Sequence, residues 1–158
     1  MKRVFALIAG LATVVTQAEA EGPNRFHSGE FTLDGHEAWA SFRYFPQGES
    51  NFSIAIIYPT YQPPIRVPLP AAPIIEYKDF KVALIDSDGT DARVRPMYHD
   101  QEFFGQTGNS GSTTNVGLFL VRLRPGKLPD KLRIVYKGIE TTVRLQPEKE
   151  IALCKSRA

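Results

Sequence analysis

The chain has 158 residues, 19 Lys+Arg against 17 Asp+Glu, 42% hydrophobic and 23% charged residues, a balance that excludes a disordered chain and a many-span membrane protein. A formal net charge of +2 is too small an excess for a nucleic-acid binder, which needs a concentrated basic face to neutralise phosphates. A globular protein is expected.

The first element in chain order has the three-part layout of a secretory signal: Lys2 and Arg3, the apolar run Val4 to Val15, then Ala18-Glu19-Ala20. The apolar run is shorter than the roughly 20 residues a membrane-spanning helix needs, and small residues at Ala18 and Ala20 suit a signal peptidase. Cleavage is expected after Ala20. Glu21 and not a cysteine stands directly after that site, so a freely exported product, periplasmic or secreted and without a membrane-spanning segment, is expected. Residues 21–147 read as one domain, because a chain of this length buries about two-thirds of its unfolded surface in a single core without disulfides. Residues 148–158 read as a polar tail. It carries Cys154, the single cysteine, which is either a spare thiol or an intermolecular link.

Beyond the signal the apolar residues alternate with a period of two, the pattern of strands with one face on a core. Glu30 to Leu33 and Ala38 to Phe45 read as strands joined at Asp34-Gly35, a favoured hairpin dipeptide. In the second, Ala40, Phe42 and Tyr44 face the core and Trp39 points away. Phe52, Ile54, Ile56 and Tyr58 form the next alternating set, followed by Phe80, Val82 and Leu84. A short strand at Arg93 to Met97 follows the Asp88-Gly89 turn. Val116 to Leu123 is apolar on both alternating sets and is expected to be central and covered on both sides. Leu132, Ile134 and Tyr136 face one way and pair across Lys137-Gly138 with Ile139, Thr141, Val143 and Leu145. Gly138 supplies the positive φ that a tight hairpin requires. The resulting expectation is an all-β, immunoglobulin-like antiparallel β-sandwich of about eight strands, with a small β-barrel as the alternative.

Two segments break the strand rhythm, and loops on a rigid β scaffold commonly carry binding chemistry. Pro59 to Pro73 holds six of the 12 prolines and is expected to run as an extended arm without ladder hydrogen bonds along its length. Such an arm either presents Tyr61, Ile65, Arg66, Val67 and Leu69 to a partner at low entropic cost or crosses between sheets with its prolines guarding an edge. Pro96 to Gly117 reads as a long flexible loop, since Gly105, Gly108 and Gly111 punctuate a run of small hydrogen-bonding residues. Tyr98, Phe103 and Phe104 could anchor a partner there, or the aromatics could tuck back into the sandwich. His99, Asp100 and Glu102 form the one candidate metal set, with His27 or His36 as further donors.

Other chemistries fit poorly. The glycines of residues 105–111 are not followed by Gly-Lys-Ser/Thr and a helix, so they do not cradle a nucleotide. Asp86, Asp88 and Asp91 echo a calcium loop, but with Gly89 as the bending glycine the first and last ligand positions fall on Leu84 and Arg95. A hairpin turn explains the same residues. No Gly-x-Ser-x-Gly elbow or His-Glu-x-x-His pair occurs, which leaves only a hydrolase whose groups the fold brings together from afar. In export, length and strand content the chain resembles the small copper carriers of the bacterial periplasm. Those bind copper through an N-terminal amine with histidine and carboxylate; the expected mature terminus here, Glu21-Gly22-Pro23-Asn24, has no histidine. The leading expectation is a non-enzymatic exported protein, needing no cofactor, that binds a protein partner or envelope component through Tyr61, Arg66, Tyr98, Phe103 and Phe104. A copper or zinc carrier using His99, Asp100 and Glu102 is the competing one.

Overall fold

The computed structural model describes residues 24–62, 67–98, 100–108 and 110–148; the expected signal segment, Arg66, His99 and Cys154 lie outside them. In chain order the strands are β1 (Arg25–Leu33), β2 (His36–Arg43), β3 (Ser50–Pro59), β4 (Tyr61–Gln62), β5 (Val67–Pro68), β6 (Phe80–Asp86), β7 (Asp91–Ala92), β8 (Val94–Pro96), β9 (Gly105–Gly108), β10 (Ser112–Val121), β11 (Pro129–Tyr136), β12 (Ile139–Arg144) and β13 (Gln146–Pro147), with one 3-10 turn at Tyr77–Asp79. One sheet runs β13-β1-β2-β3-β10-β8, with β9 also on β10; the second runs β12-β11-β6-β7, and β4 and β5 form a small ribbon. Neither sheet closes on itself. The architecture is therefore the antiparallel, immunoglobulin-like sandwich that the alternation predicts, and not a barrel.

Local turn chemistry builds both long hairpins. Asp34-Gly35 and Lys137-Gly138 each have positive φ at both residues, the type I′ geometry whose twist matches that of paired strands. The turns belong to different sheets, yet the Lys137 ammonium forms an ion pair with the Asp34 carboxylate and ties the layers together at that end. β1 begins earlier than its alternation suggests because a bulge interrupts it between His27 and Glu30. Ser28 Oγ accepts a hydrogen bond from Ala40 N there (2.9 Å), taking the place of the ladder acceptor that the extra residue displaces.

A row of rings crosses the core face of the larger sheet, beside Leu33, Ala40, Ile54, Ile56 and Val121. Phe26, Phe42, Phe52 and Phe119 stand directly opposite one another on four successive strands, all buried, with neighbouring centroids 5.0 to 6.2 Å apart. A proline ends the row on each side, Pro147 opposite Phe26 and Pro96 opposite Phe119, where a missing N–H does least harm to a sheet. Leu84, Leu132, Ile134 and Val143 supply the facing layer.

β10 is central, as expected, but only one of its faces is sealed. Phe119 and Val121 are buried whereas Val116, Leu118 and Leu120 are half-buried, because no layer among the described residues covers the outer side of the larger sheet. The free edge of β10 is also split: β9 pairs with residues 113 to 116 and β8 with residues 119 to 121. The Phe104 ring fills the gap between them. It lies against Gly117, where any Cβ would overlap it, and packs on Tyr77, Phe80 and Phe119. Beside it the Tyr77 hydroxyl accepts the Leu118 N–H at 3.0 Å, satisfying a donor that neither edge strand reaches.

At the other end, the turn after β6 is organised by Asp86. Its buried carboxylate accepts the N–H groups of Asp88 (2.9 Å) and Thr90 (3.1 Å) and two bonds from Arg124 (2.7 and 3.2 Å), so the Asp-rich run is a self-capping turn. Arg124 foremost, with the two N–H groups adding to it and desolvation opposing, holds the Asp86 carboxyl below its ordinary value.

Two measurements check these contacts. Gly117→Ala should destabilise the chain by about 1–3 kcal/mol through overpacking against Phe104, seen as a lower urea midpoint at unchanged slope. Because Asp86 is more acidic folded than unfolded, its stabilising contribution is complete above the unfolded carboxyl value near pH 4 and fades as pH falls toward the folded one. Asp86→Asn should therefore lower the melting temperature at pH 7 and lose part of the wild-type decline below about pH 4; an unchanged acid limb would contradict the arrangement.

Candidate functional site

The two irregular segments of the sequence come together as one surface. Thr60 N donates to Gly111 O (3.0 Å), joining the start of the proline arm to the tip of the β9–β10 hairpin. Farther along, Pro73 O accepts bonds from Asn115 Nδ2 (2.8 Å) and Gln106 Nε2 (3.2 Å). Phe104 N then donates to Ile75 O (2.8 Å) and Tyr77 N to Glu102 O (2.9 Å), with Glu76 and Phe103 paired as a bridge. Residues 73–77 and 102–106 thus run side by side as a stapled ribbon over the β10 edge.

This pairing corrects three sequence expectations. The arm does form ladder bonds: Tyr61 pairs with Pro68 and Gln62 with Val67, because prolines at residues 63, 64, 68 and 70 leave the N–H groups of Gln62 and Val67 available. The segment after Pro96 is not structureless either, since Gly105–Gly108 zips onto β10 as a hairpin strand. Phe104, expected beside Phe103 as a partner anchor, is 4% exposed and belongs to the core. Successive residues of an extended segment point to opposite sides, so only one of the two rings can face outward.

That ring is Phe103, half exposed, and on the same outward side of the ribbon stands Ile74, 72% exposed. Tyr61, Val67 and Tyr98 are also large and exposed. The sequence singled out Tyr61, Val67, Tyr98 and Phe103 but missed Ile74, since an Ile-Ile pair signals burial without saying which member is buried; Ile75 is. Of the candidate metal donors, Asp100 and Glu102 are exposed on the chain preceding Phe103, and His99 lies outside the described residues. Among the described residues no group of three His, Cys, Asp or Glu side chains comes together. His27 and His36 cannot join one ion with each other. His36 closes the β1–β2 hairpin opposite Leu33, with its ring on Tyr58 at 4.3 Å, whereas His27 lies roughly 20 Å back along β1.

His27 sits in the second feature of note, an open groove of about 460 Å³ on the outer face of β1, β2 and β3. Two cross-strand rows make its floor: Arg25, Arg43 and Asn51, then His27, Ser41 and Ser53. Ser41 Oγ and Ser53 Oγ hydrogen-bond to each other at 2.9 Å. Buried Tyr58, near Asp34 and Tyr136, has its hydroxyl held protonated well above the usual range, chiefly by burial.

Compared with protein-family models, with curated proteins and with solved structures, the chain shows no significant match. The functional reading therefore rests on these surfaces.

The two neighbouring rings separate cleanly by experiment. Phe104→Ala should cost about 3–5 kcal/mol of unfolding free energy, and Phe103→Ala under about 1 kcal/mol; equal losses would mean that both rings are structural.

Proposed function

We propose that this chain is an exported, non-enzymatic β-sandwich that binds another protein or an envelope component, in the manner of an immunity or inhibitor protein or an accessory domain of an envelope assembly. The observation that carries this reading is the stapled ribbon, which turns Ile74 and Phe103 outward, Phe103 opposite Glu76 and Ile74 two residues from it, although the same segments bury Ile75 and Phe104. Monomeric proteins keep such apolar side chains scattered, and a fixed cluster of them reads as a contact surface. Because hydrogen bonds to β10 hold the ribbon, little ordering entropy is lost when a partner docks. The secretory layout of residues 1–20 supports a periplasmic or secreted location.

The test is affinity capture from the envelope fraction of the source organism, using the exported chain as bait. The Ile74→Ala/Phe103→Ala variant should remain folded by circular dichroism and recover its specific partner at least tenfold less than wild type. Recovery of the same protein in equal amount by the folded variant would refute this surface.

A further inference from the structure

The ribbon does not account for the groove on the outer face of the larger sheet. Arg25 and Arg43 occupy directly opposite positions on β1 and β2, an arrangement in which like charges destabilise a strand pair. Glu148 relieves it only in part, reaching Arg25 at 4.0 Å. Arg43 makes no ion pair among the described residues, and its guanidinium lies over the Phe45 ring at 5.3 Å. A sheet that holds two guanidinia together with so little compensation presents an anion site.

The surroundings narrow the ligand. The strands are central, with both ladder edges of β2 and β3 already used, so recognition falls to side chains and not to strand addition. Asn51, Ser41, Ser53 and His27 offer further hydrogen-bonding groups beside the two guanidinia. Trp39 and Phe45, each about 40% exposed, stand at the two ends of the β2 line that carries Ser41 and Arg43, roughly 20 Å apart. Tryptophan and arginine around a polar centre is the composition of protein-binding hot spots.

The geometry points to a docking site for an acidic segment of a protein partner, with a carboxylate received between Arg25 and Arg43 and flanking side chains resting on Trp39 and Phe45. This inference rests on the protein-binding reading above and adds the chemistry of a second contact to it.

The experiment is fluorescence anisotropy of a labelled hexaglutamate peptide with the exported chain, its Arg25→Gln/Arg43→Gln variant and its Ile74→Ala/Phe103→Ala variant. Binding should weaken as salt rises from about 50 to 200 mM, fall at least tenfold in the arginine variant and persist in the ribbon variant. Because the substitution relieves repulsion, the arginine variant should melt no lower than wild type, which a merely structural role for the pair does not predict. Equal binding by the arginine variant, or no salt-sensitive binding at all, would overturn the site. Tighter binding of a hexagalacturonate than of the C-terminally amidated peptide would overturn the ligand class, since each then carries six carboxylates. If wild type and the arginine variant capture the same envelope protein equally well, the groove assignment fails while the ribbon reading stands.

Discussion

One seat holds the molecule together: the Phe104 ring against Gly117, in the gap where two edge strands leave β10 unpaired. A sandwich needs its layers joined by apolar contact, and the larger sheet's core side carries a row of phenylalanines among aliphatic residues. Phe104 enters that core from the side, touching Phe119 of the larger sheet and Phe80 of the smaller one. It reaches there only because Gly117 has no side chain and because the Tyr77 hydroxyl takes over the Leu118 N–H. The ring therefore determines where β8 must stop and β9 must start.

That constraint also shapes the outer surface. For Phe104 to point inward, the chain on either side must run extended over the β10 edge, which turns Phe103 outward and draws residues 73–77 alongside. The exposed pair of Ile74 and Phe103 thus has the same geometric cause as the buried pair of Ile75 and Phe104. The exposed apolar pair is obtained by the same anchoring that closes the core.

The larger sheet divides its labour by face. Its inner side carries the ring row ended by prolines, and its outer side, uncovered among the described residues, carries Trp39, two arginines and a line of hydroxyl and amide groups. The strands that carry the outer row are those most firmly held from within, so their polar side chains project from a rigid base. The Asp34–Lys137 pair and the Asp86–Arg124 cluster fasten the two ends of the sandwich, and they leave this outer face free of any covering segment among the described residues.

Much of this was legible in the sequence. Alternation placed Phe42, Phe52, Ile54, Leu132 and Ile134 in the core because side-chain direction along a strand is a local property of the backbone. Asp34-Gly35 and Lys137-Gly138 announced their turns because positive φ is likewise local. The sequence also found the Pro96 to Gly117 segment, which supplies one side of the ribbon, but its proline segment ended at Pro73, where the other side begins. It could not choose between Phe103 and Phe104, or see that Arg25 faces Arg43 and Ser41 faces Ser53. Those relations depend on strand register and on which segments lie across a sheet or an edge, and only the tertiary structure sets that.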